Sequence, residues 1–485
     1  MNDLKTFTYQ TRFHLDEKST SILSSCSSLY GSIERHLFQN LIQKLPINDL
    51  KREYLVKYGI TARQFNACRV SIEGKIDSVK ECLKVRIEEL KEKISSLEKK
   101  LPKIKDKKIA HHKKRSLKSM QCRLAKILLD QKEGRLSLCF GGKKLFHKQF
   151  YLKENNYTSF ESWREEWIQA RSSEFFSLGS KDETSGNQSC TLTVDQKDLF
   201  HLRLRLPNAL VKKYGMKYLS FSDINFAYGK EQILEALILK KALSYRFKRD
   251  EKGWRLFVSF NREKAPIITK KSLGAIGVDV NVNHLAVTEI DRNGNPINKK
   301  IFSLCTYGKT SDQAKALIGD VCKDIVILAQ ERQKPIIAEK LDFKKKKATL
   351  KEESSSKLAR MLSSLSYSHI LENLERKAFQ EGVEFFTVSP VLTSVIGRMK
   401  FSKRYGLSTH HAAALCIARR FFKFSEAPSK CPMKVVHKNV QVTCPLPERN
   451  REQHVWTFWI KASKKLKTAL AAHFRASLDP RYCRS

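Results

Sequence analysis

The sequence predicts a multidomain chain of mixed class, with an α/β domain in the carboxyl-terminal half and an α+β half before it that is first helical and then β-rich. Three observations carry this. Between Leu273 and Phe424, short apolar runs and one long amphipathic segment follow in the order strand, strand, strand, helix, strand. Between Lys75 and Leu129, leucines and isoleucines recur at steps of three and four on either side of Pro102, the periodicity of paired helices. From Gly134 to Lys264 the pattern turns to short alternating runs, the period of half-buried strands.

Taken in order, Phe7, Tyr9, Thr11, Phe13 and Leu15 alternate with polar residues and predict a strand from Thr6 to Leu15. A helix follows with Ile22, Cys26, Leu29, Ile33, Leu37 and Leu41 on one face. Leu83, Ile87, Leu90, Ile94, Leu97 and Leu101 form the seam of a coiled-coil-like helix that Pro102 ends. A return helix from about Ile109 to Leu129 would set Leu117, Leu124 and Leu128 against that seam. Residues 99 to 126 hold twelve Lys or Arg against the single acid Asp106. Such a run is ordinarily a solvated face, but like charges repel along an arm unless phosphates neutralise them. Lys113, Lys114 and Arg115 are therefore candidate nucleic-acid contacts.

In the β-rich region, His201 to Leu206 alternates so that leucines point inward and Arg203 and Arg205 outward. Leu243 to Lys248 and Trp254 to Val258, joined by a turn at Asp250 to Gly253, predict a hairpin with Arg246, Lys248 and Arg255 on one face. A small barrel or sheet with a basic face is the simplest product. An ordinary β-domain with solvated basic side chains has the same pattern.

The carboxyl-terminal half is organised around Asp279 and Glu339. Ala275 to Val280 is an apolar run ending in an acid, and His284 to Ile290 returns after the turn Asn281-Val282-Asn283. A tight turn from Asp291 to Asn295 leads to a third strand, Pro296 to Leu304. Leu317, Val321, Ile325 and Leu328 predict a helix from Ser311 to Gln333, and Pro335 to Glu339 is a short buried strand that again ends in a carboxylate. A right-handed crossover would set this strand parallel to the first. Asp279 and Glu339 would then meet at the carboxyl ends of neighbouring strands, where open α/β sheets place their sites. Two carboxylates held close repel unless a cation lies between them. Mg²⁺ suits such an oxygen site, and two ions about 3.5 to 4 Å apart can activate water and stabilise the leaving oxygen of a phosphodiester. Taken singly, either acid is an ordinary turn or capping residue.

Three segments carry a family resemblance: GVDVNVNHLAV (277–287), IIAEKLDFKKKK (336–347) and VSPVLTSVIGRMKFSKRYGLSTHHAAALCIARR (388–420). They resemble the three RuvC motifs of TnpB proteins, insertion-sequence-encoded relatives of type V CRISPR effectors, in particular the subgroup of TnpB-related accessory proteins. The resemblance extends over nearly the whole chain. It implies an RNase H-like (RuvC) nuclease domain over 273–428 and a helical recognition lobe with a basic helical hairpin over 21–133. It also implies a β-barrel-like wedge domain over 134–265, completed by the first strand (1–20), and a basic tail with an amphipathic helix over 429–485. The implied function is that of a transposon-associated RNA-guided DNA endonuclease, with Mg²⁺-dependent hydrolysis at Asp279, Glu339 and a third residue. Guide RNA from the transposon end and double-stranded target DNA are the implied partners, with a transposase encoded alongside as a further candidate.

Two departures from the family pattern matter. The third Asp of the family, in a D-x-N-A-A pattern, is matched by His410-His411-Ala412-Ala413-Ala414, so His410 stands at the acid's position. An imidazole there can act as general base or metal ligand. It can also weaken metal binding or merely cap the helix, so the alternative function is a nuclease-deficient RNA-guided DNA-binding protein acting as a transposition accessory or repressor. The second departure is the family's zinc ribbon: no Cys occurs between Glu339 and His410, and no zinc is expected. Lys344, Lys345, Lys346 and Lys347 follow Glu339, and Arg398, Lys400, Lys403 and Arg404 precede His410. Both runs would hold the backbone of the scissile strand.

Lys and Arg number 92 against 50 Asp and Glu in 485 residues, a formal net charge of +42. That excess implies a polyanionic partner, nucleic acid first. The twelve Cys contain no C-x-x-C pair, which argues against a disulfide framework and suits a reducing cytoplasm. The amino terminus lacks an apolar signal core and no run of eighteen apolar residues occurs, so a cytoplasmic protein without a membrane partner is expected, and the resemblance implies a bacterial, nucleoid-associated one. Beyond Pro428, residues 451 to 478 predict a basic amphipathic helix with Trp459, Leu466, Leu470 and Phe474 on its apolar side. Docking on the nuclease core fits it better than a membrane surface. A plain RNA chaperone, needing no metal site, is a third class.

Overall fold

The computed structural model describes residues 4–183, 186–340, 367–427, 433–437, 440–450 and 452–476. The chain divides into two compact units, Met1–Arg262 and Glu263–Ser485.

The first unit begins with strand β1 (Leu4–Arg12) and helices α1 (Glu17–Ile42), α2 (Ile47–Tyr58), α3 (Ala62–Lys100) and α4 (Lys107–Lys132). Asp16 caps α1 by accepting from the Ser19 amide, and Ile22, Cys26, Ile33 and Leu37 are buried as the spacing predicts. Helix α3 starts earlier than its seam, at a capping box in which Thr61 and Gln64 each accept from the other's amide. Pro102 sits in the single 3₁₀ turn Leu101–Lys103 that stops α3, and Asp106 caps the return helix α4. Ile87, Leu90 and Ile94 are buried along the seam. On α4 the inward residues are Leu117, Met120, Leu124 and Ile127, and Leu128 is exposed. A strict step of four drifts off the partner helix, whereas alternating steps of three and four follow the 3.5-residue repeat that keeps the seam facing its mate.

Residues 134–173 correct the expectation of a strand-rich region. They hold helices α5 (Lys143–Lys148) and α6 (Phe160–Arg171), and strands resume only with β2 (Glu174–Ser177). The remaining elements are β3 (Cys190–Val194), β4 (Phe200–Arg205), α7 (Asn208–Tyr214), β5 (Tyr218–Ile224), α8 (Lys230–Ile238), β6 (Ser244–Asp250) and β7 (Gly253–Glu263). They form two open sheets, ordered β1-β7-β6-β2 and β3-β4-β5. Neither closes, so the barrel-like wedge is not formed. The reason lies in the core. Phe175, Phe247 and Trp254 of one sheet and Leu192, Leu202 and Phe221 of the other share a single apolar cluster with Ile33, Phe65 and Ile72 of the helices. Helices, rather than a curled sheet, cover the apolar faces.

The second unit holds a five-stranded sheet ordered β10-β9-β8-β11-β12, from β8 (Ala275–Val280), β9 (His284–Ile290), β10 (Pro296–Ser303), β11 (Ile336–Glu339) and β12 (Phe385–Val388). The first three strands form the expected antiparallel meander. After the crossover helix α9 (Ser311–Arg332), β11 lies parallel to β8, and β12 parallel to β11. A capping box between Thr310 and Gln313 starts α9, but its buried face is Ile318, Cys322, Ile325, Val326 and Ala329. Leu317 is exposed. Both columns of α9 are apolar, and contact with the sheet and with α10 (Tyr367–Gln380) selects the one that packs.

The other face of the sheet is covered by α11 (Thr393–Ile396), a π-helical turn (Gly397–Phe401), α12 (Ser402–Tyr405) and α13 (Thr409–Phe421). In the tail, β13 (Met433–His437) and β14 (Val440–Cys444) pair antiparallel before α14 (Val455–Ala476). Helix α14 docks on this unit through Trp459 and Leu466, and the Trp459 indole donates to the Glu426 carbonyl at 2.9 Å. The side chain of Phe474 lies outside the described residues. Among the described residues no helix is long and apolar enough to cross a membrane.

Candidate active site

Side-chain alternation along β8 decides where its acid points. Ile276 and Val278 pack with α9 and α10, whereas Ala275 packs on the opposite face with Ala412, Leu415 and Ile417 of α13. Asp279 shares the parity of Ala275 and therefore faces the α13 side. The parallel register pairs Ile336 with Ile276, Ile337 with Gly277 and Ala338 with Val278, so the next positions along the two strands are Glu339 and Asp279. Ile337, two residues before Glu339, belongs to the same face as Ala275. The structure thus brings the two acids to adjacent strand ends on one face, each 7% exposed.

Both carboxylates are oriented by neighbours. Asn281 Nδ2 donates to Asp279 Oδ2 at 3.0 Å, and the buried Thr393 hydroxyl donates to Glu339 Oε1. The Tyr367 hydroxyl donates to the Glu339 carbonyl at 2.9 Å. Burial first, then the negative charges of Glu339 and Asp279, hold that phenol far above its ordinary range. One buried ring senses both acids. Arg420 donates to the Ser389 carbonyl; burial lowers its guanidinium, and the charge of Glu339 acts in the opposite sense.

Helix α13 carries His410 to this point. Ser408 caps the helix, accepting from the His411 amide at 3.2 Å, so His410 is not the cap. It lies in the first turn, half-exposed, with Nδ1 donating to Asp279 Oδ2 at 3.3 Å. His284 packs edge-to-face on it at 4.8 Å between centroids. Burial, then the neighbouring His410, hold His284 below its ordinary range. His411 points elsewhere, donating from Nε2 to the Lys300 carbonyl at 3.3 Å, and burial lowers it too.

The oxygen donors of Asp279 and Glu339 fit a hard divalent cation. Among the described residues, no three His, Cys, Asp or Glu converge as a ready metal-binding group. Asp279 and Glu339 are therefore the residues of this site that could hold such an ion.

The basic candidates separate. Lys113, Lys114, Arg115, Arg203, Arg246, Lys248, Lys403 and Arg404 are exposed. Arg203 lies over the Tyr218 ring at 4.8 Å, and Arg205 is half-buried. Lys400 is committed inward, donating to Glu426 at 2.8 Å, and Arg398 is half-buried with its guanidinium lowered by desolvation. Arg255 pairs with Asp250 at 2.6 Å, beside the two-pronged contact of Arg12. Lys344, Lys345, Lys346 and Lys347 lie outside the described residues. Sequence reasoning missed Asn281, Thr393, Tyr367 and Arg420. Only Asn281 left a local signal, in the turn two residues past Asp279, within reach of that carboxylate.

No protein-family model matches the chain, and no curated protein matches it. Among solved structures it is similar to Cas12f1 in a complex with sgRNA and target DNA, at 12% identity over 86% of this chain and 99% of that chain, with a TM-score of 0.37. It is also similar to T. thermophilus RuvC in complex with a Holliday junction substrate, at 18% identity over 30% of this chain and 90% of that one, TM-score 0.21. A third similarity is to Cas12i1 in an R-loop complex after target DNA cleavage, at 10% identity, 76% and 56% coverage and a TM-score of 0.27.

Proposed function

We propose that the chain is a RuvC-type, metal-dependent DNA endonuclease directed by a guide RNA. The observation that carries this reading is the pair of buried carboxylates, Asp279 and Glu339, at matching ends of neighbouring parallel strands beneath α13. The motif resemblance to TnpB and the net charge of +42 support it. Mg²⁺ held by the two acids would activate water and neutralise charge on the leaving oxygen of a phosphodiester. Asn281 and Thr393 fix the orientation of the carboxylates. With Nδ1 donating its hydrogen bond to Asp279, the half-exposed His410 has Nε2 left to act as a base and take a proton from water. Lys403 and Arg404, exposed one helical turn before α13, hold substrate phosphates.

In this reading residues 21–133 are the recognition lobe, and 134–265 with the first strand grip the RNA scaffold. The guide comes from a transposon end, the target is double-stranded DNA, the protein is cytoplasmic and associated with the bacterial nucleoid, and a transposase encoded alongside is a further partner. Exposed Lys113, Lys114 and Arg115 meet phosphates. Replacing the three with Ala reduces the slope of log affinity against log salt by about three, one per lost contact. Affinity measured across a salt series checks this; an unchanged slope removes them from the interface.

One observation favours a second reading, loss of cleavage with binding retained. His410 contacts Asp279 directly where the family carries an acid, and among the described residues no third acid joins the pair. The test is to sequence the RNA that copurifies with the chain and to present duplex DNA matching its variable end, with Mg²⁺ or with chelator. Mg²⁺-dependent cleavage supports the nuclease. Tight guided binding without cleavage, converted to cleavage by His410→Asp, supports the second reading, and unselective RNA with no guided binding removes both.

A further inference from the structure

We propose that α5 and α6 carry a stacking platform for unpaired nucleotides, separate from the carboxylate pair. Buried Trp163 donates from Nε1 to the Leu145 carbonyl at 2.8 Å and so ties α6 to α5. Trp167 stacks on Trp163 with centroids 5.8 Å and planes 15° apart, and Phe146 rests against Trp167 at 5.4 Å. This aromatic core supports rings that it does not bury. Phe150 is 64% exposed, Tyr151 57%, Phe160 45% and Phe146 38%. Phe146, His147 and Phe150 touch ring to ring, with centroids 5.8 to 6.3 Å apart, and exposed Tyr151 follows Phe150 in the chain. Four large rings turned to water within fifteen residues forgo the burial that drives folding, and exposed apolar area concentrated in this way marks an interaction surface.

The rim identifies the partner. Residues 141–153 contain Lys143, Lys144, Lys148 and Lys153 and no acid. Lys143, Lys144 and Lys153 are exposed, and Lys148 lies over the Tyr157 ring at 5.4 Å. The acids of this segment begin at Glu154 and continue on α6 as Glu161, Glu165 and Glu166, which directs a phosphate chain along α5. Single-stranded nucleic acid presents both complements at once, base faces for the rings and phosphates for the ammonium groups. A duplex has its bases already stacked and offers only the phosphates. The occupant is therefore unpaired DNA or RNA. This site shares with the proposed function only the class of partner and does not depend on cleavage.

The test is fluorescence anisotropy of the full chain, in chelator, with labelled oligo-dT and oligo-U of about twelve nucleotides, within the span of a typical single-strand site, and with a blunt duplex of equal length. The F150A/Y151A variant binds both single strands about tenfold or more weakly, as expected for lost base stacking, and binds the duplex as wild type does. F150W retains single-strand binding. Equal affinity for dT and U assigns the platform to either strand type, and tighter binding of U assigns it to RNA. Unchanged single-strand affinity in the double variant overturns the proposal. So does an equal loss on duplex and single strand, or a wild-type self-association that the double variant abolishes while oligonucleotide binding stays the same. Both substituted rings are more than half exposed, so their removal takes nothing from the core. If Mg²⁺-dependent cleavage fails while the single-strand difference persists, only the nuclease reading falls.

Discussion

Asp279→Asn lowers Mg²⁺-dependent cleavage by at least about a hundredfold, because changes to groups that merely orient a metal's ligands already cost 10- to 100-fold. The variant keeps the shape of the side chain and, through Asn281, a polar neighbour, so the strand end stays filled. The charge is what it loses. Without metal, two buried carboxylates on adjacent strands repel each other, and removing one relieves that repulsion. The metal-free variant is therefore at least as stable as wild type. Mg²⁺ raises the unfolding temperature of wild type by binding the folded state, whereas the variant shows little shift. Glu339→Gln behaves the same way, with nucleic-acid binding kept in both. A variant that cuts at the wild-type rate, or gains as much thermal stability from Mg²⁺, would show that no ion is shared by these acids.

Gly277→Val destabilises the second unit by about 3 kcal/mol or more, at or beyond the usual range for overpacking. A Cβ built at Gly277 falls within the Ala414 carbonyl and presses on the Ala418 methyl group. The obstacle is helix backbone, which cannot rotate aside as a side chain can. Across α13, Gly397 is in the same position, since its Cβ would come within 2.6 Å of the Ala412 backbone. The run Ala412-Ala413-Ala414 is thus the middle layer between the sheet and the π-helical turn, small because both sides press on it. Lifting α13 off β8 also carries His410 away from Asp279, so the substitution lowers cleavage together with stability. A urea midpoint equal to that of wild type would contradict this close packing.

Much of the candidate site was legible in the sequence because its parts are local. Each acid ends an apolar run short enough to be a strand, and the meander, helix and strand order leaves few ways to connect them. From that order the shared strand ends of Asp279 and Glu339 follow. His410 was visible only as a residue standing where the motif it resembles has an acid. Its contact with Asp279, and the fact that Ser408 rather than His410 caps α13, depend on where the helix lands on the sheet. The groups that hold Glu339 in place were not legible, because Thr393 lies 54 residues away in the chain. Lys400 looked like a phosphate contact and is instead paired with Glu426 inside the fold.

By itself, the sequence determined the elements that repeat with a period, the strands β8 to β11 and the seam of α3, together with the acids at strand ends and the net charge of +42. Tertiary structure alone decided which of two apolar columns on α9 and α4 turns inward, that the sheets of the first unit stay open, and that α5 and α6 raise aromatic rings into water. The physical reason is one of range. Periodicity is a property of neighbours a few residues apart, whereas the choice between equally apolar faces is made by whatever distant segment arrives to cover them.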